Sequence, residues 1–150
     1  MVRGDVKSPG WLRVSDLQTM EAVTRVWSQH GQARQVVGVP LLAVLRRSGW
    51  EAGPQGKSVP PREKHSGYRL VIIASAADGY QAVFSVAELV EGKTEALVVW
   101  SIDGKPLPAD SGPLRLVVPT DSGLSRSTFK LRYLDLLDVR KLVPRTLPLD

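Results

Sequence analysis

The sequence predicts an α+β domain in a single unit, with short helices and long loops around a sheet. Three observations carry this. Three apolar runs of strand length, Leu70-Val71-Ile72-Ile73-Ala74, Leu97-Val98-Val99-Trp100 and Leu114-Arg115-Leu116-Val117-Val118, are bounded by Gly or Pro signals. One stretch, residues 40–48, has the apolar spacing of a helix. Two connections, 50–66 and 120–128, are longer than the usual link between elements and carry Gly, Pro or hydroxyl residues. We expect the three runs to be strands of one sheet, with the 40–48 helix packed against it.

Taken in order, residues 1–10 hold Gly4, Pro9 and Gly10 among charges and read as an extended or loosely ordered lead-in. Trp11 to Val14 has the composition of a short edge strand. Ser15-Asp16-Leu17-Gln18 has the form of a capping box, in which the Ser15 hydroxyl accepts an orphan N–H and Gln18 reaches back. Between Val23 and Val37 the chain alternates, turns through the polar residues 29–34 and resumes as strand at Gln35. Pro40 suits a helix start, because its missing N–H is not needed there. Leu41, Leu42, Val44 and Leu45 form the apolar face. Arg46 and Arg47 complement the negative end of the helix dipole, and Gly49 supplies the left-handed stop. Residues 50–66, with Gly53-Pro54 and Pro60-Pro61, are a loop.

The run from Tyr68 to Ala76 is apolar on both faces, as expected of a central strand. Asp78-Gly79 turns it into a hairpin with 80–84. Ser85-Val86-Ala87-Glu88 is a capping box in its Glu form, opening a short helix. The segment 96–119 is two strands and their connection. Asp103-Gly104 makes a turn, and Pro106 and Pro108 keep the following residues out of a central ladder. Gly112-Pro113 launches the second strand, with Leu114, Leu116 and Val118 on one face and Arg115 and Val117 on the other. Thr120 to Thr128 is a loop. A last strand is expected within 136–142, and Pro144 and Pro148 punctuate a tail at 143–150.

At 150 residues the chain has the length of one domain, divided as the 1–10 lead-in, an 11–142 body and the tail. The formal net charge of +5 favours acidic partners. The basic residues are scattered, however, with Arg46-Arg47 and Arg140-Lys141 the tightest pairs, which counts against a nucleic-acid stripe. There is no cysteine, so disulfides, thiolate metal sites and a Cys nucleophile are excluded. No apolar run is long enough to span a bilayer, and MVRGDVKSPG has no signal-peptide h-region.

The ordered series Gly38-Val39-Pro40-Leu41, Asp78-Gly79-Tyr80, the helix start at Ser85, Asp103-Gly104-Lys105-Pro106-Leu107 and Gly112-Pro113-Leu114-Arg115-Leu116-Val117-Val118-Pro119 resembles the oxidoreductase molybdopterin-binding domain of the sulfite-oxidase type. The resemblance covers about residues 10–142 of the chain. It implies a mixed, twisted β-sheet and, in full-length members, a molybdenum–pterin cofactor whose metal is bound by a Cys thiolate. Arg, Lys, His and hydroxyl groups there hold the pterin and its phosphate. The family's Cys falls in what is here the 23–37 region, which has none. Family habit points to the bacterial periplasm or cell envelope.

Few residues are candidates for chemistry. His30 and His65 lie far apart with no His-x-His or His-x-x-x-His spacing, so no metal site is expected. No Gly-x-Ser-x-Gly elbow supports a hydrolytic nucleophile. The 120–128 loop offers Ser122, the N–H groups around Gly123, and Arg126, which could cradle an anion or simply be a polar connection. Tyr80 could line a pocket or pack at the sheet rim. Arg115 sits mid-strand between apolar neighbours, so either its face is solvated or it pairs with a carboxylate or an anion.

The residues therefore suggest a binding or accessory module that has lost the metal ligand. Such a module would take a small anionic or polar ligand, or a protein partner, near Tyr80, Arg115, Ser122 and Arg126. No cofactor is expected on this reading. Its alternative is an oxidoreductase still binding a molybdopterin cofactor, and a third reading is a basic nucleic-acid-binding protein. The Ser85 cap yields a direct test. Ser85→Ala should cost about 1 kcal/mol by orphaning an N–H at a helix start. Ser122→Ala should cost less than about 0.5 kcal/mol, as at an exposed loop position. Denaturant midpoints should rank them in that order.

Overall fold

The computed structural model describes residues 1–143, as nine strands in two sheets with three short α-helices and two single-turn 3-10 helices. The α+β class is as expected, but the single sheet is not. The first sheet has the order β1-β9-β4-β5, and the second has β2-β3-β6 followed by β7 and β8 side by side along β6. The run at 70–73 thus lies in a different sheet from those at 97–99 and 114–118. Buried strands look alike in sequence, because two-sided burial erases the alternation that would mark a neighbour.

In the first sheet, β4 (Leu70–Ala76) is central, flanked antiparallel by β5 (Gln81–Ser85) and β9 (Leu131–Asp138). The lead-in is ordered: β1 (Val2–Gly4) pairs parallel with β9, and Val2 is buried. The last strand begins earlier than the expected 136–142. Charges along its outer face mask the inward pair Leu134 and Leu136. The edge strand expected at 11–14 does not form. Helix α1 (Val14–Leu17) begins there instead, with the Arg13 N–H donating to the Asp16 carboxylate at 2.7 Å. Asp16 thus does at the first turn what Ser15 and Gln18 were expected to do.

In the second sheet, β2 (Val23–Gln29) and β3 (Gln32–Pro40) form a hairpin. Its turn residues His30 and Gly31 both have positive φ, the geometry that matches strand twist. Strand β3 pairs with β6 (Leu97–Ile102) through a bulge at Val37/Gly38. Strand β6 pairs on its other side with β7 (Lys105–Pro106) and β8 (Arg115–Val117). Helix α2 (Leu41–Arg47) starts after Pro40. It ends in a Schellman motif, with the Gly49 N–H on the Arg46 carbonyl and the Trp50 N–H on the Leu45 carbonyl, both at 3.0 Å. Helix α3 (Val86–Val90) has the expected reciprocal cap between Ser85 and Glu88.

The main core lies between the sheets. It joins Ile72, Ala74, Phe84, Leu134 and Leu136 of the first to Val39, Val98, Leu116 and Val118 of the second, with Leu41, Val44 and Leu45 of α2. The opposite face of the second sheet carries a smaller cluster: Trp27, Val36, Leu97, Val99 and Val117, joined by Leu107 and Leu124 from the two loops that cover it. No helix among the described residues is long and apolar enough to cross a membrane. The C-terminal tail beyond Val143 lies outside the described residues.

Close approach of β3 to β6 at the bulge makes Gly38 obligatory, since a Cβ there would stand 2.2 Å from the Val98 carbonyl oxygen. Backbone cannot yield as a flexible side chain can. Gly38→Ala should therefore lower stability by about 3 kcal/mol, read as a lower denaturant midpoint at unchanged m-value.

Candidate functional site

Residues 120–128 form a strap across the outer face of the second sheet. Strand β8 pairs with β6 on one side only, so its other edge must find partners elsewhere. The strap supplies them. The Leu116 N–H donates to the Thr128 carbonyl at 2.9 Å, and the Val118 N–H donates to Ser127 Oγ at 3.1 Å. Ser127 and Thr128 are accordingly buried. Leu124 packs onto the small cluster beneath.

Arg115 lies on this face, placed there by the alternation of β8. It is only 3% exposed. Its guanidinium is held between two rings, 3.9 Å from the centroid of Phe129 and 4.7 Å from that of Trp27. Its Nε has no hydrogen-bond partner among the described residues. Burial lowers its pKa to about 10, and Asp110 opposes that shift. The group therefore stays charged at neutral pH. Each cation–π contact contributes up to about 2 kcal/mol when desolvated, whereas burying an ion costs several kcal/mol. The two rings and the attraction of Asp110 offset much of that penalty but leave the Nε donor without a partner among the described residues.

Arg126 is the opposite case. It makes two bonds of 2.8 Å to Asp121 and bonds of 3.0 and 3.1 Å to the two oxygens of Glu88, and its guanidinium lies 4.6 Å from the Phe84 ring centroid. These bonds, to Asp121 first and Glu88 second, raise its pKa. Its charge is neutralised within the protein. Tyr80 also serves the strap: its ring is 49% exposed while its hydroxyl donates to the Ser125 carbonyl. Ser122 is exposed on the strap. Of the four residues singled out by sequence, Ser122 and Arg126 belong to the strap, Tyr80 reaches it from the β4–β5 turn, and Arg115 lies under its end. Trp27 and Phe129 are additions. That Trp27 shares a face of β2 with Val23 and Arg25, alternating with Thr24 and Val26, was legible, but its partner across the sheet was not.

The residues do not fit a protein-bound molybdenum. The chain has no thiolate, and among the described residues no three His, Asp or Glu side chains gather into a metal-binding group. The 23–37 region that would carry the Cys is the β2–β3 hairpin, with His30 in its turn. His65 lies in the loop ahead of β4, its ring tilted by 31° against that of Tyr68 at 4.9 Å between centroids. Nor does a broad surface hollow of about 640 Å³ beside Trp50 compete with Arg115 as an anion site. Its charges are already matched, Lys7 to Glu51 and Arg140 to Asp138.

Comparison with known proteins agrees with this architecture. The profile of the oxidoreductase molybdopterin binding domain matches residues 1–139. The comparison with curated proteins returned no match. Among solved structures, the sulfane dehydrogenase SoxCD from Paracoccus pantotrophus superposes with a TM-score of 0.66 at 20% identity, over 92% of this chain and 37% of that one. At that identity the likeness concerns the fold, and the present chain spans little more than a third of its neighbour's length.

Glu88 makes the strap's attachment sensitive to acid. Burial would raise its pKa, but bonds from the Ser85 N–H, the Thr94 hydroxyl and Arg126 outweigh that and leave it lowered. Its contribution is complete above the ordinary glutamate value of about 4.3 and is lost as pH falls through the lower folded value. Asp5, Asp103 and Asp138 shift in the same direction. Glu88→Gln should cost about 1–2 kcal/mol at pH 7. It should also flatten, without abolishing, the fall of stability below about pH 5, as read by chemical denaturation across pH.

Proposed function

The chain belongs to the oxidoreductase molybdopterin-binding domain family, and from that premise we propose that it is a binding or accessory module. On this reading it takes a small anionic ligand at Arg115 and does not ligate molybdenum through its own side chains. The observation that carries this reading is the state of Arg115: a charged guanidinium buried between two rings, with an unpartnered Nε. A guanidinium sandwiched by its faces still presents its N–H donors at its edge, in one plane. That geometry suits the oxygens of a phosphate or carboxylate. Trp27 and Phe129 would hold the donors in place, and Leu107 and Leu124 would exclude water from the contact. Arg126 takes no part in binding here, because Asp121 and Glu88 already satisfy it.

The donor set supports the second half of the proposal. Molybdenum in this family is expected to require a protein thiolate, and this chain can offer none. The basic residues do not favour nucleic acid, since Arg3, Arg25, Arg34, Arg126 and Arg140 are each engaged by a carboxylate.

Protein produced in a host that makes the cofactor should contain no stoichiometric molybdenum by elemental analysis, and it should not oxidise sulfite. Titration with inorganic phosphate, followed by tryptophan fluorescence, should saturate for the wild type and be flat for Arg115→Gln. Near-equimolar molybdenum surviving gel filtration would restore the enzyme reading. A wild-type phosphate titration as flat as that of the variant would remove the anion site.

A further inference from the structure

We propose that residues 120–128 are a gate over Arg115, latched shut by Arg126. The gate's purpose rests on the anion reading above, while its existence rests on separate contacts. At 3% exposure, Arg115 cannot meet a ligand unless one of its covers moves. Trp27 is the fixed cover: it is 2% exposed and held within the β2–β3 ladder. Phe129 is the movable one: it is 47% exposed and follows directly on the strap.

The strap is anchored at its start, where the Glu95 N–H donates to Thr120 Oγ1 at 2.9 Å, and beyond that it has two kinds of attachment. Along β8 it replaces a strand with only two bonds, those of Leu116 to Thr128 and Val118 to Ser127, so nothing like a full ladder secures it. The stronger hold is at residues 125–126, which reach across to the first sheet. There Arg126 ties Asp121 within the strap to Glu88 at the start of α3, and comes within 3.4 Å of the Val83 carbonyl in β5. The Tyr80 hydroxyl, from the β4–β5 turn, holds the Ser125 carbonyl. Charge-assisted bonds of this kind, on side chains less than a third exposed, are the strongest polar contacts the strap makes. Ser122, Gly123 and Ser125 are exposed, so apart from Leu124 on the small cluster and the buried pair Ser127 and Thr128 little surface opposes opening once the latch is released.

The amides of Leu116 and Val118 report the strap directly, since opening breaks their bonds. Arg115 itself reports access through its reaction with phenylglyoxal, located by peptide mass spectrometry. In Arg126→Gln, both amides should exchange about tenfold faster, and Arg115 should react about tenfold faster. The Ile72 amide in β4 and the exposed Arg46 should keep their wild-type rates. Tyr80→Phe, a milder change that decides the matter if Arg126→Gln does not fold, should move the same readouts about threefold. Unchanged rates at Leu116, Val118 and Arg115, or an equal acceleration at Ile72, would overturn the gate. Inorganic phosphate added to the opened variant separates the two ideas. If Arg115 is freed but phosphate does not slow its modification, the gate stands and the anion reading falls.

Discussion

The centre of the second sheet, at β6 and β8, is buried on both faces, but only one face has another sheet to pack against. Much of the rest follows from that constraint. The inner face shares the main core with the first sheet and α2. The outer face, with Trp27, Val36, Leu97, Val99 and Val117, is covered by loops, because no strand or helix among the described residues supplies a third layer there. Loops carry unsatisfied backbone groups wherever they are buried. The strap resolves this locally by bonding the free edge of β8 through Ser127 and Thr128.

A loop-covered face is also where a charge can be held with few partners. Arg115 beneath the strap and Arg126 within it are the same residue type, and their surroundings assign them different work. Arg126 meets two carboxylates and becomes a structural fastening, its protonated form stabilised. Arg115 meets two aromatic rings, its protonated form disfavoured by burial but not abolished. A cation stabilised by carboxylates has little left to offer a ligand. A cation set against ring faces, with only the distant attraction of Asp110 beside them, retains its edge donors, which is what the proposed anion site relies on.

The family relationship gives this contrast its context. The fold is that of an oxidoreductase domain, yet fold does not carry activity with it. What supports chemistry is the donor set at a site, and here the soft ligand is missing from the sequence altogether. The hairpin that would have borne it is instead a tight two-residue turn whose strand contributes Trp27 to the Arg115 cover.

Local features were legible in the sequence for local reasons. The Ser85–Glu88 box, the Gly49 stop, the Asp78-Gly79 and Asp103-Gly104 turns and the opposite facing of Leu116 and Arg115 all depend on residues within a few positions of one another. The ordered motifs also carried the family. Two things were decided only by the tertiary structure. One was which strands share a sheet, because fully buried strands of Val, Ile and Leu advertise no particular neighbour. The other was which arginine is free. Arg126 lay in a loop that looked open to an anion, but Glu88 lies far from it in sequence and reaches it only when α3 packs beside the strap. Arg115 could have been solvated, paired or unpaired on its strand, and only the approach of Trp27 and Phe129 from distant segments left it buried without a carboxylate. Charge pairing across the fold is a property of three-dimensional proximity, and one-dimensional spacing does not encode it.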